Sequence, residues 1–269
     1  MKSKQSIPYM VPYVLWIVLF VILPLLLMLI QSLQDIHQQW TLANYANFFR
    51  SGTYLKMTFN SIFYAFLVTV ITLSISYPMA YGLSRVKNSQ FWLLLVILPT
   101  WVNLLLKAYA FIGLLSQTGT VNQFLGFIGI GPQQLLFTDT SFILVASYIE
   151  LPFMILPIFN SLVEVNPSLP NAARDLGATP WQTLRRVIFP LTLGGVRAGV
   201  QAVFIPTLSL FMLTRLIGGN RVITLGTAIE EHFLITQNWG MGSTIGIILV
   251  VAMGITMYVT RDRKKRGKR

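Results

Sequence analysis

Cysteine is absent from all 269 residues, which excludes disulfides, thiolate metal sites and cysteine nucleophiles. Charge is scarce too: 10% of residues are Asp, Glu, Lys or Arg, against roughly 25% in an ordinary soluble domain. The two histidines, His37 and His232, lie far apart in predicted loops. They read as surface polar residues, and no metal site is expected. No Gly-Lys-Ser/Thr triplet occurs, so the chain carries no phosphate-cradling loop, and the run Gly126 to Gly131 is a flexible turn. Paired carboxylates and nucleophile–base spacings are missing as well, which argues against a membrane-embedded enzyme. Neither catalysis nor a cofactor is expected in this chain.

Apolar residues fill the space that charge leaves. They make up 54% of the chain, and the mean hydropathy is +0.66. A soluble fold of this length could not cover so much apolar surface, so lipid is the natural solvent. The formal charge of +12 suggests nucleic acid until its placement is read. Seven of the 20 basic residues fall in the last nine positions, Arg261 to Arg269. A basic tail directly after an apolar run reads as an anchor beside anionic lipid, and nucleic acid is not an expected partner.

Apolar segments of spanning length occur at Met10–Ile30, Ser61–Leu83, Phe91–Leu115, Ser141–Val163, Leu191–Leu213 and Ser243–Tyr258. Lys2 and Lys4 precede the first, as in a signal peptide, but its length and the lack of a small-residue cleavage site mark it as a retained span. Outside the spans, 14 basic residues fall on one side: Lys2, Lys4, Arg85, Lys87, Arg174, Arg185, Arg186 and the seven of the tail. The other side holds 4, namely Arg50, Lys56, Arg215 and Arg221. The positive-inside rule therefore predicts a multi-pass cell-membrane protein with both termini and the Glu164–Pro190 insert in the cytoplasm. Pro24, Pro78, Pro99, Pro152, Pro157 and Pro206 interrupt several spans. Each frees a carbonyl that a neighbour must satisfy, which favours a packed, moving bundle over inert anchors.

The Glu164–Pro190 insert is polar and carries turn chemistry. Pro167 and Pro170 suit a first helical turn, with Asn166 or Ser168 as N-cap. Ala172, Ala173 and Leu176 give a small apolar face, and Gly177 can take the left-handed conformation that ends a helix. Thr179, Pro180 and Gln182 then form a capping box that opens a second helix. That helix carries Trp181, Leu184, Val187 and Ile188, with Arg185 and Arg186 at the membrane surface. Two readings remain from these residues alone: a connecting loop lying on the bilayer, or a docking element for a partner.

The form of the insert is recognisable. Ala172-Ala173-Arg174-Asp175-Leu176-Gly177-Ala178, followed by Phe189-Pro190-Leu191 and Gly194-Gly195-Val196, resembles the EAA loop of ABC-importer permease subunits. Further blocks resemble spermidine/putrescine permeases of the PotB type. They are Asn60-Ser61, Tyr77 to Tyr81, Leu98 to Asn103, Leu151 to Met154, Ile217-Gly218-Gly219 and Asn238-Trp239-Gly240. Together they cover roughly residues 10–260.

The resemblance implies an all-α, polytopic helix bundle of the type I permease fold. About six transmembrane helices would form a single domain over residues 1–269, with a coupling loop at 164–190 and a basic tail at 261–269. It implies that Ala172 to Ala178 couple to a cytoplasmic ATPase dimer. It also implies a second permease subunit and an extracytoplasmic substrate-binding protein, with polyamine cargo. Asn171 stands where the loop's leading residue is usually glutamate. Arg215 stands where a polyamine permease is expected to be neutral or acidic.

Ionisable residues inside spans are costly and prompt a functional reading. Lys107, Glu150 and Arg197 qualify. On a continuous third helix, Trp101 and Asn103 would lie about 15–18 Å deep and Lys107 about 24 Å, and on the fourth Glu150 about 14 Å. Trp101, Asn103 and Glu150 then share a level, offering an ammonium a cation–π face and a carboxylate. Tyr109 and Asn160 complete the candidate substrate pathway. A structural ion pair between Glu150 and Lys107 is the competing reading, and helix packing competes for Tyr109 and Asn160. Arg197 is expected to snorkel to the cytoplasmic surface. Iron(III), an anion or an aminophosphonate remains open as cargo, as does an ion-coupled carrier. No internal repeat supports the carrier.

Overall fold

The computed structural model describes residues 7–261. Lys2, Lys4 and tail residues 262–269, which contribute to the charge asymmetry, lie outside the described residues. Within them the chain is helical, and the strand pairing present is an isolated bridge between Gln34 and Trp40.

Among the described residues these helices organise the bundle: α1 (Met10–Ser32), α2 (Ala43–Arg50), α3 (Gly52–Leu83), α4 (Ser89–Trp101), α5 (Leu104–Leu115), α6 (Thr120–Phe127), α7 (Asp139–Val163), α8 (Ser168–Asp175), α9 (Pro180–Leu191), α10 (Leu193–Leu208), α11 (Leu225–Glu230) and α12 (Trp239–Thr260). Among the described residues, five helical stretches are long and apolar enough to cross a membrane, or six if the pair α9–α10, bent by 67°, counts as one.

The expected spans appear with two corrections. The third is not one helix. Pro99 opens a tight turn at Leu98–Trp101, Val102 is extended, and Asn103 restarts the chain by accepting a bond from Leu105 N at 2.8 Å. An apolar run conceals this break, because periodicity and hydropathy continue across it. The fifth predicted span ends early. Pro206 sits in the last turn of α10, and residues after Ser209 turn aside into a π-helical turn at Thr214–Gly218. Segments expected to be plain loops also fold, as α2, α6 and α11. His232 correspondingly lies in a π-helical turn (Glu231–Ile235), half-buried, with Nε2 2.7 Å from Tyr54 OH.

Helix α7 forms the centre, packed against α3 and α10. It contributes Phe142, Val145, Ala146, Ile149, Met154, Ile155, Ile158 and Phe159 to the main core, where they meet Tyr64 and Val68 of α3 and Val196 and Val203 of α10. A row of small residues on α3 (Ser61, Ala65, Thr69, Thr72, Ser76, Ala80) is buried, which permits close helix approach in a medium that supplies no hydrophobic drive between helices. Thr69 and Thr72 donate to Ala65 O and Val68 O, each at 2.7 Å, so their hydroxyls stay satisfied within α3. On α10 the approach is closer still. A Cβ at Gly195 would lie 2.5 Å from both Pro157 O and Ser161 Cβ, and one at Gly199 would lie 2.7 Å from Met154 Sδ.

A second core gathers Ala65, Leu208, Leu225, Ala228, Met241, Ile245 and Leu249 around α12. The second half of α1 packs on α12, where Thr244 donates to Ser32 O at 3.1 Å and Ser243 to Gln31 Oε1 at 3.2 Å. Two polar ties close the end of the bundle opposite α8. Leu225 N donates to Ser61 Oγ at 2.8 Å, and Tyr64 OH donates to Asp139 Oδ1 at 2.9 Å.

Two outcomes are expected. Gly195→Leu forces a side chain against the backbone of α7 and destabilises the solubilised protein by about 1–3 kcal/mol. Gly82→Ala, in a helix with nothing within 4 Å of the added Cβ, is expected to raise the thermal midpoint slightly. His232 is held below its ordinary value of 6.5 by burial, although Glu231 pulls the other way. A depressed base contributes stability that is full above 6.5 and lost as pH falls. Hydrogen-exchange protection across residues 225–236 is therefore expected to drop between pH 7 and pH 5, and His232→Gln to abolish that dependence.

Candidate functional site: the α8–α9 elbow and the face around Glu150

The elbow joins α7 to α10. Asn166 Oδ1 accepts from Ser168 N at 3.0 Å, starting α8 as a side-chain cap does. At its other end Gly177 has φ +84°, Gly177 N donates to Arg174 O at 2.8 Å and Ala178 N to Ala173 O at 3.0 Å. This paired arrangement closes a helix through a left-handed residue. One residue later Thr179 Oγ1 accepts from Gln182 N at 3.3 Å and Gln182 Oε1 from Thr179 N at 3.0 Å, with Pro180 at the first helical position. The two caps fix the angle between α8 and α9 by local chemistry alone.

The elbow is rigid yet uncovered. Ala172, Arg174, Asp175 and Gly177 are exposed, Ala173 and Ala178 half-buried, and Leu176 is 90% exposed. On the apolar side of α8, Ala172 and Leu176 stand open while Ala173 is half-buried. Behind it, Asn171, Arg174 and Pro170 of α8 face Tyr81, Ser84 and Arg85 at the end of α3 across a cavity of about 270 Å³. Asn171 thus lies beside two arginines, where a glutamate would have brought a charge partner. At the root of the elbow, Thr192 Oγ1 is 3.0 Å from Tyr77 OH of α3, and the Tyr77 and Phe189 rings meet edge-on at 5.4 Å. The bend between α9 and α10 is therefore pinned to α3.

The candidate pathway residues occupy two environments. Glu150 is 4% exposed within α7, and Lys107 of α5 is the charge that acts on it. Trp101 is 77% exposed, and Asn103, Tyr109 and Asn160 are exposed as well. The break at Leu98 to Asn103 means that a rise of 1.5 Å per residue does not hold across it, so the common level inferred from one straight helix has no basis. Phe111 of α5 meets Tyr148 of α7 at 5.1 Å, joining the two helices next to Glu150. Arg215, outside the spans, pairs with Glu230 at 2.6 Å. Sequence reading missed this pair because its partners lie fifteen positions apart in what looked like a loop.

No protein-family model matches the chain. Among curated proteins it is 37% identical over 223 residues to the spermidine/putrescine transport system permease protein PotB of Haemophilus influenzae, covering 81% of this chain and 78% of that one. The PotB of Escherichia coli strain K12 is 34% identical over 223 residues, 81% of each chain. The molybdenum transport system permease protein ModB of Azotobacter vinelandii is 26% identical over 62% of this chain and 76% of its own. In solved structures, a chain of a bacterial ABC transporter that imports the acidic polysaccharide alginate superposes with TM-score 0.80 at 19% identity, covering 96% of this chain and 95% of that one, which shows the fold. By its identity to two PotB proteins over four-fifths of its length, and by the permease fold that carries it, the chain belongs to the PotB-type family of ABC-transporter permeases.

Proposed function

We propose that this chain is one membrane subunit of an ATP-driven importer of polyamines, with α8 as the handle that a cytoplasmic ATPase dimer grips. The elbow carries this reading. It is a short, doubly capped helix presenting Ala172 and, just past its end, Leu176 to solvent, set between the two helices that form the core. Small side chains let such a helix seat in a partner's groove. The names of the relatives at 34–37% identity support the cargo. The charge asymmetry supports placing α8 and both termini in the cytoplasm. A second permease subunit and an extracytoplasmic binding protein complete the assembly. In this assembly, ATP binding and hydrolysis in the partner draw the handles together and apart, and the bundle alternates its opening.

Glu150 serves in this scheme as the fixed acid of the path, with Lys107 as its counter-charge while no cargo is present. An arriving ammonium replaces Lys107, gaining a charge-assisted contact with the carboxylate. Trp101, Asn103, Tyr109 and Asn160, exposed on the lone chain, are the surface that a second subunit would enclose as a channel. Arg215 and Arg221 on the outer side favour an anion as the second reading. Against it, the charge of Arg215 is already met by Glu230.

Gly177→Val places a β-branched residue at φ +84°, costing about 1–2 kcal/mol in the elbow. Uptake is expected to fall severalfold with the permease still present in the membrane, and cross-linking from Ala173→Cys to the ATPase to weaken in parallel. Retained uptake removes the handle from the mechanism. Glu150→Gln is expected to lower spermidine uptake at least tenfold, while Lys107→Met keeps uptake and tightens half-saturation. If Lys107→Met instead unfolds the protein, the pair is structural, since an orphaned buried charge costs about 3–5 kcal/mol.

A further inference from the structure

A groove of about 580 Å³ runs between α3 and α9, on the membrane side of the elbow. Leu73, Tyr77 and Tyr81 recur at helical spacing along one wall, with Ser74 and Pro78 beside them. Trp181, Leu184, Arg185 and Phe189 make the other. Two of its polar groups are satisfied within the protein. Ser74 donates to Val70 O at 2.7 Å, and Tyr77 OH pairs with Thr192. What remains along the walls is apolar apart from one cation. Arg185 lines the groove, and among the described residues no carboxylate pairs with it. Arg85 lies 4.3 Å from the centroid of the Tyr81 ring.

We propose that this groove is a binding site for one anionic phospholipid, its acyl chain between α3 and α9 and its phosphate on Arg185. The site lies where a transmembrane helix ends and a basic surface begins. There the occupant must be apolar along its length and anionic at its head. The guanidinium offers a planar fork of donors matched to a phosphate, which a strongly hydrated ammonium does not. Trp181, one turn before Arg185, belongs at the headgroup level, where indoles are enriched. A lipid seated here braces α9 against α3 beside the pinned bend at Thr192, so its binding stiffens the root of the elbow. The inference does not depend on the identity of the cargo.

Native mass spectrometry of the complex purified with its companion subunits tests it, with phosphatidylglycerol or phosphatidylcholine supplied in the detergent. The wild type is expected to retain phosphatidylglycerol in preference. Arg185→Gln should weaken that retention about fivefold, the factor equivalent to about 1 kcal/mol for one arginine at a lipid surface. Arg186→Gln, the neighbouring charge that does not line the groove, should leave it unchanged. Ser74→Trp, which fills the floor, should expel the lipid while Arg185 stays intact. Equal retention of the two lipids overturns the proposal, as do equal losses from the two arginine variants. So does a cross-link from Ser74→Cys, unique in a chain without cysteine, to the second permease subunit, because the groove would then be a subunit contact.

Discussion

The close approach of α10 to α7 governs the rest of this molecule. Gly195 and Gly199 let two backbones come within the space of a single missing methyl group, against Pro157, Ser161 and Met154. In lipid, association between helices relies on such fit, because the surrounding tails are as apolar as the side chains. Since α7 leads into α8 and α10 follows α9, the contact sets where both ends of the elbow emerge. The caps at Gly177 and Thr179 then decide how it points. Long-range packing fixes the position of the elbow, and short-range hydrogen bonding fixes its shape.

Those two ranges also divide what could be read in advance. The elbow was legible almost atom by atom, since Gly177, Thr179, Pro180 and Gln182 act on their immediate neighbours. The spans were legible because hydrocarbon demands about twenty apolar residues in a row. The break at Leu98 to Asn103 was not, for hydropathy says nothing about a turn whose residues remain apolar. Pro99 and the side chain of Asn103 were its signals, and both were available. The fold of residues 214–236 was hidden for another reason. Its ties run to Ser61, Asn60 and Tyr54, more than 150 positions away, where no local pattern reports them.

The candidate path divides along the same line. That Glu150 would be buried follows from its place in an apolar helix, and Lys107 was named as its opposing charge. That Trp101 and Asn103 would lie at an exposed break, away from the core, required knowing where α4 stops. A single chain therefore presents an acid inside and a set of polar and aromatic groups outside.

The bend of 67° at Thr192 gives the elbow a mechanical ratio. At about 1.5 Å per residue, α9 is an arm of about 18 Å and α10 one of about 24 Å, meeting where Tyr77 clasps Thr192. If the clasp holds as a fulcrum, a sideways pull on the short arm swings the far tip of the long one through a somewhat greater distance. On that geometry the pair is a bell crank, two unequal arms about one joint, with its gearing set by where one tyrosine hydroxyl takes hold.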